Sequence, residues 1–218
     1  MKSNTKLEGL MILMMLMPVL YLAMEWKTMP DTVPMHFNYK GEADRYGSKM
    51  ELLALVVLMN PVVYLLMKLV PKIDPKRKID ADSKQYISLR IIMSLILSGL
   101  SAYIIYLTMH STVTSGNFML IIFGTVFILL GNYIQTVKPN YFIGIKTPWA
   151  LENADNWRYT HRLGGKAMVI CGAVTILAAL FFSPQTAGII FVAGIIIEVA
   201  VPFVFSYLFY VRNKNEAA

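Results

Sequence analysis

A single cysteine, Cys171, stands among the 218 residues, so an intramolecular disulfide is excluded. Set within an apolar run, it reads as a small helix-packing residue. Charge is scarce as well, at 15% of residues against roughly 25% in soluble domains. Acids are the scarcer sign, 13 against 20 Lys and Arg, for a net charge of +7. Such an excess can mark a nucleic-acid binder, but these charges collect in the links between apolar runs, so direct nucleic-acid binding is not expected. HExxH, a P-loop, Ser/His/Asp spacing and cysteine pairs are all missing. The expectation is no enzyme, no cofactor and no metal. Nor is there an internal repeat, a linker or a low-complexity tract, which leaves one domain over residues 1–218.

What the chain has is hydrophobic length: 56% hydrophobic residues and a mean hydropathy of +0.55. That composition predicts an all-α, multi-pass membrane protein embedded in lipid. Six spans are expected, over 7–24, 50–70, 87–109, 118–137, 167–182 and 187–211. A signal peptide competes for the first, since Lys2 and Lys6 precede its apolar middle; Tyr21-Leu22-Ala23 lacks the small residues of a cleavage site, favouring an uncleaved span. Pro61 should kink the second span, with Asn60 re-satisfying the freed backbone groups. Small-residue stripes, Arg90/Ser94/Ser98/Ala102 and Ala167/Cys171/Thr175/Ala179, suit close helix approach.

Residues 25–49 are polar and turn-rich. Val33, Met35, Phe37 and Tyr39 alternate with Pro34, His36 and Asn38, which is strand periodicity; Lys40-Gly41 then turns the chain. Asp31, His36, Glu42 and Asp44 lack a metal-ligand spacing, so a folded cap held by aromatic packing is the expectation. His36, Phe37, Asn38 and Tyr39 are its candidate ligand-facing residues.

Lys and Arg gather at the N-terminus, in the 72–84 link, in residues 138–166 and at the C-terminus. The positive-inside rule therefore expects a cell-membrane protein with both termini cytoplasmic, the 25–49 cap extracellular and 138–166 cytoplasmic. Within the spans, Asn60, Arg90, Asn132 and Glu198 are the polar residues of interest. Glu198 lies ~17 Å along the last span at 1.5 Å per residue. A carboxylate at that depth costs on the order of 3 kcal/mol unless it faces protein or water. It shares a stripe with Gly194, Pro202 and Ser206, with Asn60 at similar depth as its expected partner. Two readings stand level: a protonated structural glutamate, and a proton- or ligand-responsive switch. Arg90 lies nearer a span end and reads as an interfacial snorkelling residue.

The longest polar, aromatic stretch of the rear half is Asn140–Lys166. Thr147-Pro148 has the form of an N-cap followed by proline at the first helical position. Leu151, Ala154, Trp157 and His161 continue at helical spacing, and Gly164-Gly165 should end this short amphipathic hinge helix before the next span. His161 could serve as an acid–base group, but nothing beside it supplies a nucleophile. Trp149 and Trp157 read as interfacial aromatics.

Gly131-Asn132, then Lys138 through Trp149, then Trp157 and His161-Arg162-Leu163-Gly164-Gly165-Lys166 closely resemble the SdpI family. Met29-Pro30-Asp31 with Pro34 to Asn38 and Gly41 resembles the uncharacterised domain that precedes it in such proteins. The resemblance implies membrane immunity against a peptide toxin, met on the extracellular side, together with signalling by sequestering a cytoplasmic transcriptional repressor. Under it, Asn140, Thr147, Pro148, Trp149, Trp157, Arg158, His161, Arg162 and Lys166 are candidate partner-binding residues. The polar residues within the spans suggest a different class, a small transporter or channel using Glu198.

Overall fold

A computed structural model describes residues 5–38, 43–74, 79–110 and 116–216. Six of its helices are long and apolar enough to cross a membrane, and the chain is an all-α, multi-pass membrane protein. The expected Lys40-Gly41 turn, Tyr39, and residues 75–78 of the basic 72–84 link fall outside the described residues. Two compact units divide the chain: residues 1–70 with 81–116, and residues 71–80 with 117–218.

The first unit holds α1 (Thr5–Glu25), β1 (Thr32–Phe37), β2 (Ala43–Ser48), α2 (Lys49–Ile73, whose last turn belongs to the second unit) and α3 (Lys84–Met109). Ser83 caps α3, its side chain accepting from the Tyr86 N–H. β1 forms as the alternation of residues 33–39 predicts, and pairs antiparallel with β2, Val33 opposite Gly47. The hairpin rests on apolar burial: fully buried Val33 joins Leu22, Met29, Leu52, Val56 and Ile105 in one cluster. Asp31 and Lys49 close its base at 2.6 Å, with the Lys49 ammonium over the Trp26 ring. Lys49, by hydrogen bond and by charge, holds the Asp31 carboxyl below its usual range.

The second unit holds α4 (Gly116–Ile134), α5 (Pro148–Glu152), α6 (Ala154–Phe181) and α7 (Pro184–Glu216). Here the hinge expectation needs correction. The helix does not end at Gly164-Gly165; α6 runs unbroken through both. The interruption comes earlier, at Asn153, whose Oδ1 accepts from the N–H groups of Asp155 and Asn156 and so restarts the chain as α6. The glycines serve packing instead. A Cβ at Gly165 would lie 2.5 Å from the Gly131 carbonyl oxygen, and one at Gly131 2.8 Å from that of Gly165. Only glycine on both sides lets α4 and α6 approach so closely.

Candidate functional site: the Asn140–Lys166 motif against α7

Asn140 organises the segment that enters the motif. Its buried Oδ1 accepts from the N–H groups of Phe142 and Ile143, both at 2.8 Å, and its Nδ2 donates to the carbonyls of Lys138 and Ile143. One side chain thereby satisfies a loop that has no regular backbone partners. The loop leads to Gly144 at φ 127°, a left-handed conformation that side chains rarely tolerate. A Cβ there would also run into the His161 ring.

His161 itself is 1% exposed. Its Nε2 accepts from the Ile145 N–H at 2.9 Å, which places the ring proton on Nδ1, facing the Trp157 carbonyl at 2.8 Å. Both nitrogens are thus engaged by backbone, and the ring is stacked on Trp157 with centroids 4.0 Å apart. Trp157 is equally buried, and its Nε1–H donates to the Val137 carbonyl at 2.8 Å. His161 packs and bonds backbone rather than serving as an acid–base group, and an interfacial position for Trp157 is corrected. The pair is an internal strut joining the chain before the loop to α6.

Thr147 caps α5 as its sequence predicts, with Pro148 in the first turn. Its cap extends into a directed chain of bonds. The Ala150 N–H donates to Thr147 Oγ1, so the Thr147 hydroxyl proton is left for Ser206 Oγ, 2.6 Å away. Ser206 in turn donates to Asn156 Oδ1 at 2.9 Å, which also accepts from Thr160 Oγ1. Asn156 Nδ2 donates back to the Ser206 carbonyl at 2.9 Å. Thr147, Asn156, Thr160 and Ser206 are all buried. Their donors and acceptors answer one another, which a buried polar network requires if it is to stabilise. Above it, Trp149 lies edge-on to Phe203 at 5.6 Å and beside Tyr207 at 5.1 Å. α5, α6 and α7 are thereby locked together.

The outward face is different. Arg158, Arg162 and Lys166 are exposed at successive four-residue steps of α6. Arg158 pairs with Asp155 at 3.0 Å and covers the Tyr159 ring. Asn132 donates to the Ile128 carbonyl of its own helix. Glu198 is half-buried on the packed stripe of α7 with Gly194, Pro202 and Ser206, and has no hydrogen bond or ion pair among the described residues.

In the first unit, His36 is exposed and bonds Asp44 at 2.6 Å; Asn38 follows β1 half-buried. Asn60 does not re-satisfy backbone groups as expected, since both its polar atoms are buried without a partner. Arg90 does not snorkel. Its side chain is 8% exposed, and its two terminal nitrogens grip the two Glu8 oxygens at 2.8 and 2.9 Å. Lys68 approaches the same carboxylate at 3.3 Å, and the Tyr64 hydroxyl donates to it. Glu8, Asn156, Thr160 and Ser206 were not singled out from sequence as site residues. Ser206 alone carried a signal, its place on the Gly194–Glu198–Pro202 stripe.

Residues 136–206 match the SdpI/YfhL protein family, and residues 13–59 match a domain of unknown function, DUF1648. The Immunity protein SdpI of Bacillus subtilis (strain 168) is 29% identical over 87 residues. That similarity spans 40% of this chain and 42% of the relative's length. No solved structure matches the chain significantly. Every member of the bonded network, from Asn140 to Ser206, falls inside the first matched segment. The resemblance carried by the Asn140–Lys166 motif is thereby borne out: this chain bears an SdpI/YfhL-family segment at residues 136–206, behind a DUF1648 segment at 13–59.

Proposed function

We propose that this chain is a membrane immunity protein that protects its cell against a membrane-active peptide toxin. One observation carries the reading: the segment similar to SdpI coincides with the bonded Asn140–Ser206 site. A toxin arriving from outside meets the 25–49 cap, whose candidate ligand-facing residues are His36, Phe37, Asn38 and Tyr39 and which the charge distribution favours on the extracellular side. The same distribution assigns both termini and the motif to the cytoplasm. There, exposed Arg158, Arg162 and Lys166 form a basic face for a cytoplasmic repressor. Buried Trp157, His161, Asn140 and Thr147 hold that face in place rather than contact the partner.

Paired assays of survival and repressor localisation test this division. Arg158→Ala with Arg162→Ala should abolish recruitment and spare survival. Equal loss of both by this variant would reduce the basic face to a structural element.

A second reading, a small transporter or channel, is favoured by one feature: Glu198 lies half-buried within a span and unbonded among the described residues. Intramembrane carboxylates are functional candidates by default. Solute flux into proteoliposomes that Glu198→Gln abolishes would favour it; absence of flux would leave the immunity reading alone.

A further inference from the structure

The exposed face of α6 changes character along its length. Its buried side carries Trp157, His161, Gly164 and Gly165. On the other side, Arg162 and Lys166 are followed at steps of three or four residues by Ile170, Val174, Leu177 and Phe181, all exposed. At 3.6 residues per turn these six positions fall within an arc of ~120°. One strip of helix surface therefore begins cationic and continues apolar.

The apolar part is too short to cross a bilayer by itself. Residues 167–182 cover ~24 Å at 1.5 Å per residue, against a hydrocarbon core of ~30 Å. A short span draws its flanking residues to the interface. Here those are Lys166 and, about one turn further out, Arg162. Asp155 is the one acid in α6, and it already pairs with Arg158 at 3.0 Å. Arg162 and Lys166 have no hydrogen bond or ion pair among the described residues. Two uncompensated cations thus stand at headgroup level, in line with exposed apolar surface.

We propose that Arg162 and Lys166 bind the phosphate of an anionic phospholipid whose acyl chain lies along Ile170, Val174 and Leu177. A phosphodiester offers its oxygens to the guanidinium and the ammonium together. A lipid without a cationic headgroup keeps the net negative charge that a zwitterion cancels. An acidic protein segment answers the same charges, but it does not cover the apolar strip within the bilayer. The basic face is given above to a repressor; this inference deepens that reading, with lipid on its two inner rungs and Arg158 outermost.

The test uses the full-length protein carrying Ile170→Trp in phosphatidylcholine vesicles. Brominated phosphatidylglycerol or, separately, brominated phosphatidylcholine is included at equal fraction. Quenching of the added tryptophan, taken as the difference from the parent protein, reports which lipid lies on the strip. Each Lys or Arg beside an anionic surface favours it about fivefold, so the pair predicts a preference for phosphatidylglycerol on the order of twentyfold. Arg162→Gln with Lys166→Gln should bring the ratio toward one. Lys166→Gln alone, should the double variant insert poorly, should lower it about fivefold. A Leu180→Trp reporter, exposed at the far end of the same strip, should show no preference. A ratio near one at Ile170→Trp would overturn the proposal and leave the basic face to the repressor. A preference indifferent to the glutamine substitutions, or equally strong at Leu180→Trp, would overturn it too. The vesicles hold neither toxin nor repressor, so failure here is separate from failure of the immunity reading.

Discussion

Asn156→Ala is the sharpest probe of the α5–α6–α7 lock. The wild-type carboxamide makes three bonds of 2.9 Å: to the Ser206 carbonyl, from Ser206 Oγ and from Thr160 Oγ1. After truncation, the Thr160 hydroxyl can turn to the carbonyl four residues back, and the Ser206 carbonyl belongs to a continuing helix. The Ser206 hydroxyl can turn in the same way to the Pro202 carbonyl only by giving up the bond it accepts from Thr147, so one buried hydroxyl loses a partner either way. Stranding one buried hydroxyl costs about 1–3 kcal/mol. The lost carboxamide also leaves a small cavity, adding on the order of 1 kcal/mol. The expected total is ~2–4 kcal/mol, or a fall in Tm of roughly 5–12 °C for a chain of this size. Thermal unfolding of purified protein in one detergent reads it. The double variant with Ser206→Ala should lose less than the sum of the singles, with a coupling of about 1 kcal/mol or more. A change within ~0.5 kcal/mol for Asn156→Ala, or strict additivity, would refute the network as a stabilising unit.

Other parts of the fold make their own predictions. Gly165→Val drives a side chain into the Gly131 carbonyl and should destabilise by about 3 kcal/mol or more; an unchanged Tm would mean α4 and α6 do not meet there. Arg90→Ala leaves the Glu8 carboxylate to Lys68 and the Tyr64 hydroxyl alone and should cost about 1.5–3 kcal/mol, whereas Glu8→Leu with Arg90→Met should recover most of it. Unfolding in detergent distinguishes the two, and an equally damaged double variant would contradict the pairing. Lys49 lowers the Asp31 carboxyl, so whatever that pair contributes is present above the unfolded carboxylate value of ~3.9. It is lost as pH falls through the lower folded value. Lys49→Ala should raise the Asp31 titration measured by carboxyl NMR, and no upward movement would remove Lys49 as the cause.

Much of the architecture was legible because bilayer spans are set by length and apolarity, which local sequence carries. Thr147-Pro148 was readable for a similar reason: capping chemistry is complete within four residues. The Gly194–Ser206 stripe emerged from helical spacing alone. What failed was whatever depends on a distant partner. Glu8 is one acid near the start of the chain, and its ligands are 56, 60 and 82 residues away. Gly164-Gly165 has the local form of a helix terminus, yet tertiary packing against α4 overrides that propensity. Asn153 is the real interruption, and as one polar residue among several it gave no warning. β2, ADRYGS, has no apolar alternation because both its faces are largely exposed, so strand periodicity could not reveal it.

Protection is the central claim, and survival measures it directly. A strain sensitive to a membrane-active peptide toxin is given either this chain, the Asn156→Ala/Ser206→Ala variant, or an empty vector, at matched membrane abundance. All three are then challenged with the peptide. The account predicts growth with the wild-type chain, none with the vector, and an intermediate or lost response for the variant with the unlocked motif. Wild-type cells dying as fast as the vector control, with the protein present in the membrane, would contradict it.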